Sequence, residues 1–449
     1  MSKHETMLAP HVASLQGILS DKARTIFIST LIAAGAAVRL ALLFQVGSAP
    51  EGALTGGSDA PAYIILAHSL ATGHGLAYMG QPTALRAPLY PLILSWLDSG
   101  FGSHAFLVMR ILQFVAAVLT GIVCAKIAGE LWEDDSKPVA FALAFSIPTL
   151  LFFTMQILTE TFAAFLVCLF LYFSVRTIKD ENRRSPLIGM GVCTGLLLLL
   201  RFNAVFIPFV MICIVLRVPI TWKSIKRAAV PVVIAGIFVC PWLIRNAIVF
   251  HGGVLYSSQT GITALQGALS PSGRTQPQDA EAWSSAGWWL SDIETDTARR
   301  LQFPSEVQLN KMAIRAAWTA WRSLGVRAVP LLVEKFFYFW LSTDQLFQTA
   351  DFSLRQRLLR ASGVLFYWFA LVLAVGGFMR LRRSERRISN ALLLYCIAAT
   401  LLHLPVTMNT RLRSPLIDPL ICVLAAGELS VLFGKRRAAT EGVVVPLLR

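Results

Sequence analysis

The sequence predicts an all-α polytopic membrane protein, and three observations carry that prediction. Of 449 residues, 55% are apolar and only 14% charged, whereas soluble domains carry about 25% charged residues. The mean hydropathy is +0.63. The apolar residues fall in runs long enough to cross a hydrocarbon layer of roughly 30 Å, at residues 25–46, 105–128, 158–175, 228–250, 363–378, 388–406 and 415–433. The surplus positive charge, +15 overall, is concentrated in short loops. These carry Arg176, Lys179, Arg183 and Arg184, then Arg217, Lys223, Lys226 and Arg227, then Arg380, Arg382, Arg383, Arg386 and Arg387, and finally Lys435, Arg436 and Arg437. Basic short loops mark the cytoplasmic side of a membrane protein. The charge therefore sets orientation, and a polynucleotide partner is not implied.

A head of residues 1–24 precedes the first run and has no small-residue cleavage site, so that run reads as a retained span and not a signal peptide. With the basic loops inside, the chain leaves the cytoplasm near Ala49, and residues 49–104 form an external segment with one arginine and three acids. Within it, Ser58-Asp59 is placed to cap a helix over residues 60–71, with Pro61 in the first turn where proline is tolerated. Thr72-Gly73-His74-Gly75 ends that helix. Residues 88–97 are too short and proline-rich to span, and suit a helix on the outer face.

Residues 105–128 return inside, 139–153 go out and 157–175 come back. Residues 187–200 and 204–216 make a hairpin with Arg201-Phe202-Asn203 at its outer tip, and 228–250 exit again. A second external segment, 251–327, contains Trp283, Trp288 and Trp289, for which interfacial anchoring is the ordinary role and sugar stacking the alternative. It continues into residues 307–324, where Lys311, Arg315 and Arg322 share one helical face and Ile314, Trp318 and Trp321 another, a pattern that suits a helix in the headgroup plane. Residues 329–342 pose a parity conflict. Counting them as a span would put the arginines at 380–387 outside, so they are assigned as re-entrant or interfacial. Ten spans result, with eleven the alternative. The predicted divisions are a cytoplasmic head 1–24, a membrane module 25–250 that includes the loop 49–104, an external segment 251–327, C-terminal helices 328–433 and a cytoplasmic tail 434–449.

All seven cysteines lie in apolar runs and no CxxC occurs, so disulfide staples and a cysteine-ligated zinc are not expected. HExxH, P-loop and GxSxG motifs are also missing. The polar groups beside the membrane segments need explaining, because they are costly there. The strongest cluster is Gly56-Gly57-Ser58-Asp59 with Tyr63, followed by Gly73-His74-Gly75 and the stretch Pro82-Thr83-Ala84-Leu85-Arg86-Ala87-Pro88-Leu89-Tyr90-Pro91. Asp59 is placed to meet a substrate at the outer surface, or simply to cap its helix.

This arrangement resembles the GT-C membrane glycosyltransferases, specifically the bacterial relatives of protein O-mannosyltransferases and of lipid A aminoarabinose transferases. The resemblance rests on the aspartate after span one, the aromatic Tyr63, the glycine-bounded turn and the Pro82–Pro91 stretch. It extends to Leu158-Thr159-Glu160-Thr161, Pro241-Trp242-Leu243-Ile244-Arg245-Asn246 and Arg411-Leu412-Arg413-Ser414-Pro415-Leu416, which cover most of the chain in order. The resemblance implies a GT-C-like fold, a polyprenyl-phosphate-linked sugar donor, and an envelope glycan, lipid or protein acceptor on the outer face of the inner membrane. It makes Asp59 the general base on the acceptor hydroxyl. The substrate-binding candidates are then Tyr63, Arg86, Glu160, Arg201, Arg245, Arg411 and Arg413, with the arginines offered to the donor phosphate. For each arginine the alternative is a side chain snorkelling to lipid headgroups; for Glu160 it is a buried structural ion pair. Several relatives have a second acid where this chain has Arg86, so no metal ligand is assigned and a divalent cation is left open. A transporter or lipid flippase is the rival reading; such proteins show repeat symmetry and broken helices at the midplane, whereas the polar residues here gather toward one face.

Overall fold

In the computed structural model, the described residues are 21–49, 59–78, 80–216, 220–254, 256–269, 305–343, 354–406 and 410–433, and on them the chain is helical apart from one two-stranded hairpin. Ser58, the tryptophans at 283, 288 and 289, and the C-terminal tail lie outside the described residues. Helix α1, Asp21–Val46, is followed by α2, Ala60–Ala71, with Pro61 at its first turn. Gly73 and Gly75 follow with φ of +81° and +71°, a conformation that side chains with a Cβ resist, and they turn the chain into strands β1, Ala77–Tyr78, and β2, Gln81–Pro82. Helix α3 runs Leu89–Phe101 and α4 Ala105–Leu131.

The expected single helix over 139–153 is two: α5, Ser136–Ser146, and α6, Pro148–Phe153. The break falls at Ile147, whose ψ of 124° is extended. The ring of a following proline disfavours the helical conformation in the residue before it, which is why the helix stops there. Arg39 of α1, fully buried, donates to the Phe145 carbonyl at 2.5 Å and so satisfies one of the acceptors freed by the break.

Helices α7, Glu160–Lys179, α8, Ser185–Leu200, α9, Ile207–Val215, and α10, Trp222–Val249, follow. Then come α11, Thr260–Leu269, and α12, Glu306–Leu324, which pack on each other, and α13, Ala328–Leu341. The last three are α14, Leu354–Ser384, α15, Arg386–His403, and α16, Thr410–Phe433. Among the described residues, six helical stretches are long and apolar enough to cross a membrane: residues 22–46, 89–131, 160–179, 222–249, 361–384 and 410–433. The other runs read as spans from sequence are shorter helices or are interrupted; α9, with nine residues, rises only about 14 Å. The chain is a multi-pass membrane protein. Helix α16 lies at its centre, enclosed by α4, α5, α7 and α14, whereas α1 turns most of its surface outward.

Polar contacts sort to the two ends of this bundle. At one end Arg24 pairs with Asp135 at 3.2 Å, Arg176 with Glu130 at 2.6 Å, Arg387 with Glu181 at 3.2 Å and Arg380 with Glu428 at 3.2 Å. These are the basic loops and their neighbours. At the other end Arg110 of α4 donates to the Gly47 and Ala49 carbonyls past α1, at 2.6 and 2.8 Å. Helix α13 is tied to that second end as well. Arg413, in the first turn of α16, donates to the carbonyls of Phe339 and Ser342, and Lys335 donates to those of Gly267 and Val406.

The basic loops predict an orientation for this frame, and that orientation is testable. Single cysteines at Ser103 and Ser323, in a background without native cysteines, are expected to react with an impermeant thiol reagent on intact cells. A cysteine at Ser384 is expected to react only after the membrane is opened. All three side chains are exposed on the protein, so the reverse pattern would invert the orientation.

Candidate active site

The site is built around a loop that the rest of the non-basic end of the bundle holds in place. Residues 83–88 leave β2 and lead into α3. Arg245 of α10 donates to the carbonyls of Thr83 and Leu76 at 2.9 and 3.0 Å, bracing this loop and the chain just before it. The Ala84 amide donates to Glu306 at 2.8 Å, and the Ser258 amide donates to the Ala84 carbonyl at 3.3 Å. So clamped, the loop sends Arg86 inward, where it is almost fully buried. Its NH2 donates to Asp59 Oδ1 at 2.6 Å and its NH1 to Gln259 Oε1 at 2.6 Å, and the guanidinium lies 5.7 Å from the centre of the Tyr63 ring.

Asp59 precedes α2 but does not cap it. Its backbone is already helical, with φ −72° and ψ 0°, and its carboxylate makes no cap hydrogen bond. A capping residue needs an extended backbone to bring its side chain back onto the first amides. Two guanidiniums take the carboxylate instead, in charge-assisted bonds that are stronger than neutral ones. The second is Arg411, at the start of α16, whose NH1 donates to Asp59 Oδ2 at 2.7 Å. Asp59 therefore does not take the capping role expected from sequence, while Ser58, the other residue of that expectation, lies outside the described residues.

Arg411 also donates, through Nε, to Glu160 at the start of α7. Glu160 is fully buried and takes a second cation, Arg201 NH1, at 3.0 Å. Arg201 follows α8 in an extended conformation and is held by Thr159 Oγ1 and Asn203 Oδ1, both at 3.1 Å. The Asn203 amide in turn meets His403 Nε2 at 3.1 Å, while His403 Nδ1 donates to the Ala399 carbonyl at 2.6 Å. A neutral imidazole with that tautomer accepts at Nε2, so Asn203 is oriented with its oxygen toward Arg201.

Two carboxylates and three guanidiniums thus form one chain, Arg86–Asp59–Arg411–Glu160–Arg201, with a net charge of +1 from these five groups. Asp59 remains about one-third exposed at its side chain, so the chain is open at that point. Burial pushes the Asp59 carboxyl up, but Arg86 and Arg411 outweigh it and hold the group well below the usual carboxylate range. Two buried atoms of the chain, Arg86 Nε and Glu160 Oε2, have no hydrogen-bond partner among the described residues. An anionic oxygen would satisfy the Arg86 Nε–H, whereas Glu160 Oε2 needs a donor such as a hydroxyl, so a ligand carrying both groups suits this surplus of positive charge.

Of the candidates read from sequence, Asp59, Tyr63, Arg86, Glu160, Arg201 and Arg411 come together here. Arg245 and Arg413 do not. Arg245 spends its hydrogen bonds on the loop carbonyls and on Asn246, and packs against Trp242 and Phe250. Arg413 is fully buried on Asp418 at 3.0 Å, on the α13 carbonyls and over the Tyr367 ring. His74 is exposed and bonds Thr72 Oγ1 at 2.9 Å. Gln259, Asn203 and His403 join the site without having been candidates from sequence. Gln259 and Arg86 are separated by 173 positions and Asn203 and His403 by 200, and an uncharged amide or a histidine in an apolar run gives no signal of such partners. Among the described residues no three His, Cys, Asp or Glu side chains come together as a metal site.

Comparison with known proteins agrees with this architecture. Residues 85–244 match the family described as dolichyl-phosphate-mannose-protein mannosyltransferase. No curated protein matches the chain. Among solved structures, the archaeal oligosaccharyltransferase AglB from Archaeoglobus fulgidus, in complex with an inhibitory peptide and a dolichol-phosphate, aligns with a TM-score of 0.51 at 13% identity, covering 91% of this chain and 50% of that one. The apo form of the Archaeoglobus fulgidus oligosaccharyltransferase gives 0.52 at 12% identity, covering 90% and 50%. ArnT from Cupriavidus metallidurans bound to undecaprenyl phosphate aligns at 13% identity over 90% of this chain and 78% of that one, with a TM-score of 0.42. The chain has the GT-C-like helical membrane fold and spans about half the length of the oligosaccharyltransferase chains it matches.

Proposed function

We propose that this protein is a membrane glycosyltransferase that moves a sugar from a polyprenyl monophosphate to a hydroxyl of an envelope glycan, lipid or protein, on the outer face of the inner membrane. The observation that carries the reading is the five-member charge chain at the non-basic end of the bundle. Three guanidiniums around two carboxylates leave one positive charge uncompensated, and a monoanionic phosphodiester of a lipid-linked sugar supplies that charge. The family match over residues 85–244 supports the same reading.

The chemistry follows from the positions. Arg86 and Arg411 are the cations nearest the open carboxylate, and their forked donors suit phosphate oxygens. As the bond between the sugar and the phosphate breaks, negative charge grows on the phosphate oxygen, and fixed guanidiniums there favour the transition state over the ground state. Asp59 takes the proton of the acceptor hydroxyl as its oxygen bonds the sugar carbon. Glu160 holds Arg411 and Arg201 in place, and Tyr63 packs beneath Arg86. Arg245 braces the loop that carries Arg86 and is a positioning residue.

The purified full chain in vesicles, given polyprenyl phosphate carrying a labelled sugar together with an envelope extract as acceptor, is expected to release the lipid phosphate and to label the extract. Donor that stays intact, or that merely crosses the vesicle membrane, would overturn the transferase reading in favour of transport.

A further inference from the structure

Asp59 as it stands is a poor base. A general base works best when its proton affinity is matched to the working pH, and here both carboxylate oxygens are taken by guanidiniums, Arg86 at 2.6 Å and Arg411 at 2.7 Å. The two cations are not equally fixed. Arg86 is held at its other nitrogen by Gln259, lies over Tyr63, and sits on the clamped loop. Arg411 bridges Asp59 and Glu160, and Glu160 keeps a second guanidinium, Arg201, if Arg411 turns away. Arg411 can therefore leave Asp59 without stranding Glu160 as an unpaired buried charge, which would be costly.

We infer that Arg411 is a shared ligand, which guards Asp59 in the empty enzyme and is drawn off by the phosphate of the bound donor, so that donor binding arms the base. This rests on the transferase reading and adds an order to it: donor first, proton acceptance second. In the armed state the acceptor O–H proton passes to the Asp59 carboxylate. The acceptor oxygen bonds the sugar carbon, and the electron pair of the breaking bond stays on the phosphate oxygen beside Arg411. When the lipid phosphate departs, Asp59 gives its proton to water and Arg411 returns. The groups that face Asp59 are Arg86, Arg411 and, further off, Arg201; Glu160 and Tyr63 complete the surround. Burial raises the carboxyl and the arginines lower it, so withdrawal of one arginine moves its titration upward.

The test is the titration of Asp59 itself, read as its carboxyl band in infrared difference spectra of the full chain, with Asp59→Asn as the blank. Spectra are taken with and without undecaprenyl phosphate. The band is expected to protonate at a pH at least about one unit higher when the lipid is bound, a tenfold change in proton affinity. An unchanged titration with lipid bound would overturn the coupling. Simple repulsion between phosphate and carboxylate also raises the titration, and Arg411→Gln separates the two causes. Without Arg411 the unloaded band should already titrate higher, and the lipid should add less than in the wild type. A lipid-induced shift of the same size in Arg411→Gln would assign the effect to repulsion and sink the shared-ligand role. Transfer that proceeds while the Asp59 titration stays fixed would refute this coupling and leave the transferase reading standing, whereas an intact donor would refute that reading whatever Asp59 does.

Discussion

Glu160→Ala is expected to destabilise the protein by about 3–5 kcal/mol, the range for removing one partner of a buried ion pair. Glu160 is fully buried and is the only acid that Arg201 contacts among the described residues. Its loss leaves the Arg201 guanidinium buried with, among the described residues, Thr159 and Asn203 as its side-chain partners, and deprives Arg411 of one of its two carboxylates. Glu160→Gln keeps an acceptor oxygen for Arg201 and should cost less. The check is a thermodynamic cycle with Arg201→Met, measured as unfolding in detergent. If the pair is coupled, the double variant loses less than the sum of the two single variants, by roughly 0.5–3 kcal/mol. Additive losses would mean that Glu160 and Arg201 do not act on one another.

Much of the fold was legible because apolar periodicity and helix punctuation are local. The helix over 60–71 was readable from Pro61 and the glycines, and it is found with those bounds. The amphipathic helix expected over 307–324 runs Glu306–Leu324, with Ser305 capping it through a bond to the Gln308 amide. Helix α16 starts five residues before the apolar run expected at 415, because Arg411 and Arg413 interrupt the hydrophobic pattern while their guanidiniums are neutralised by carboxylates that the fold brings to them. The break at Ile147-Pro148 was available in the sequence but was masked by apolar residues on both sides. The site was legible as charges standing beside apolar runs. What the sequence could not supply was their pairing. Arg245, Arg411 and Arg413 look alike as arginines at outer helix ends, and only the three-dimensional contacts assign one to a brace, one to the charge chain and one to the α13–α16 junction.

Asp59→Asn is expected to lower sugar transfer by roughly two to four orders of magnitude, the usual worth of a positioned base. The variant keeps the size of the side chain and one acceptor oxygen for Arg86 or Arg411 but cannot take a proton. Because Asp59 makes no cap hydrogen bond to α2, the helix does not depend on it. What the folded state loses is the attraction to two guanidiniums, at a carboxylate that stays about one-third exposed, so the fold should survive. The sign of that contribution is fixed. Asp59 titrates below its ordinary range in the folded chain, so its stabilising share is present above the ordinary carboxylate pKa and is lost only as the pH falls through the lowered value. At neutral pH the comparison of variants is therefore made where wild-type Asp59 is fully ionised.

The direct measurement is a single turnover. Vesicles holding matched amounts of folded wild-type or Asp59→Asn protein are loaded with labelled polyprenyl-phosphate sugar at saturation, acceptor is added, and the rate of label transfer is followed. With donor already bound, neither donor affinity nor product release enters the rate. A base at Asp59 predicts that the Asn variant binds the donor and transfers at least about a hundredfold more slowly. Transfer at close to the wild-type rate by Asp59→Asn would show that the proton goes elsewhere, and that Asp59 serves only to hold Arg86 and Arg411.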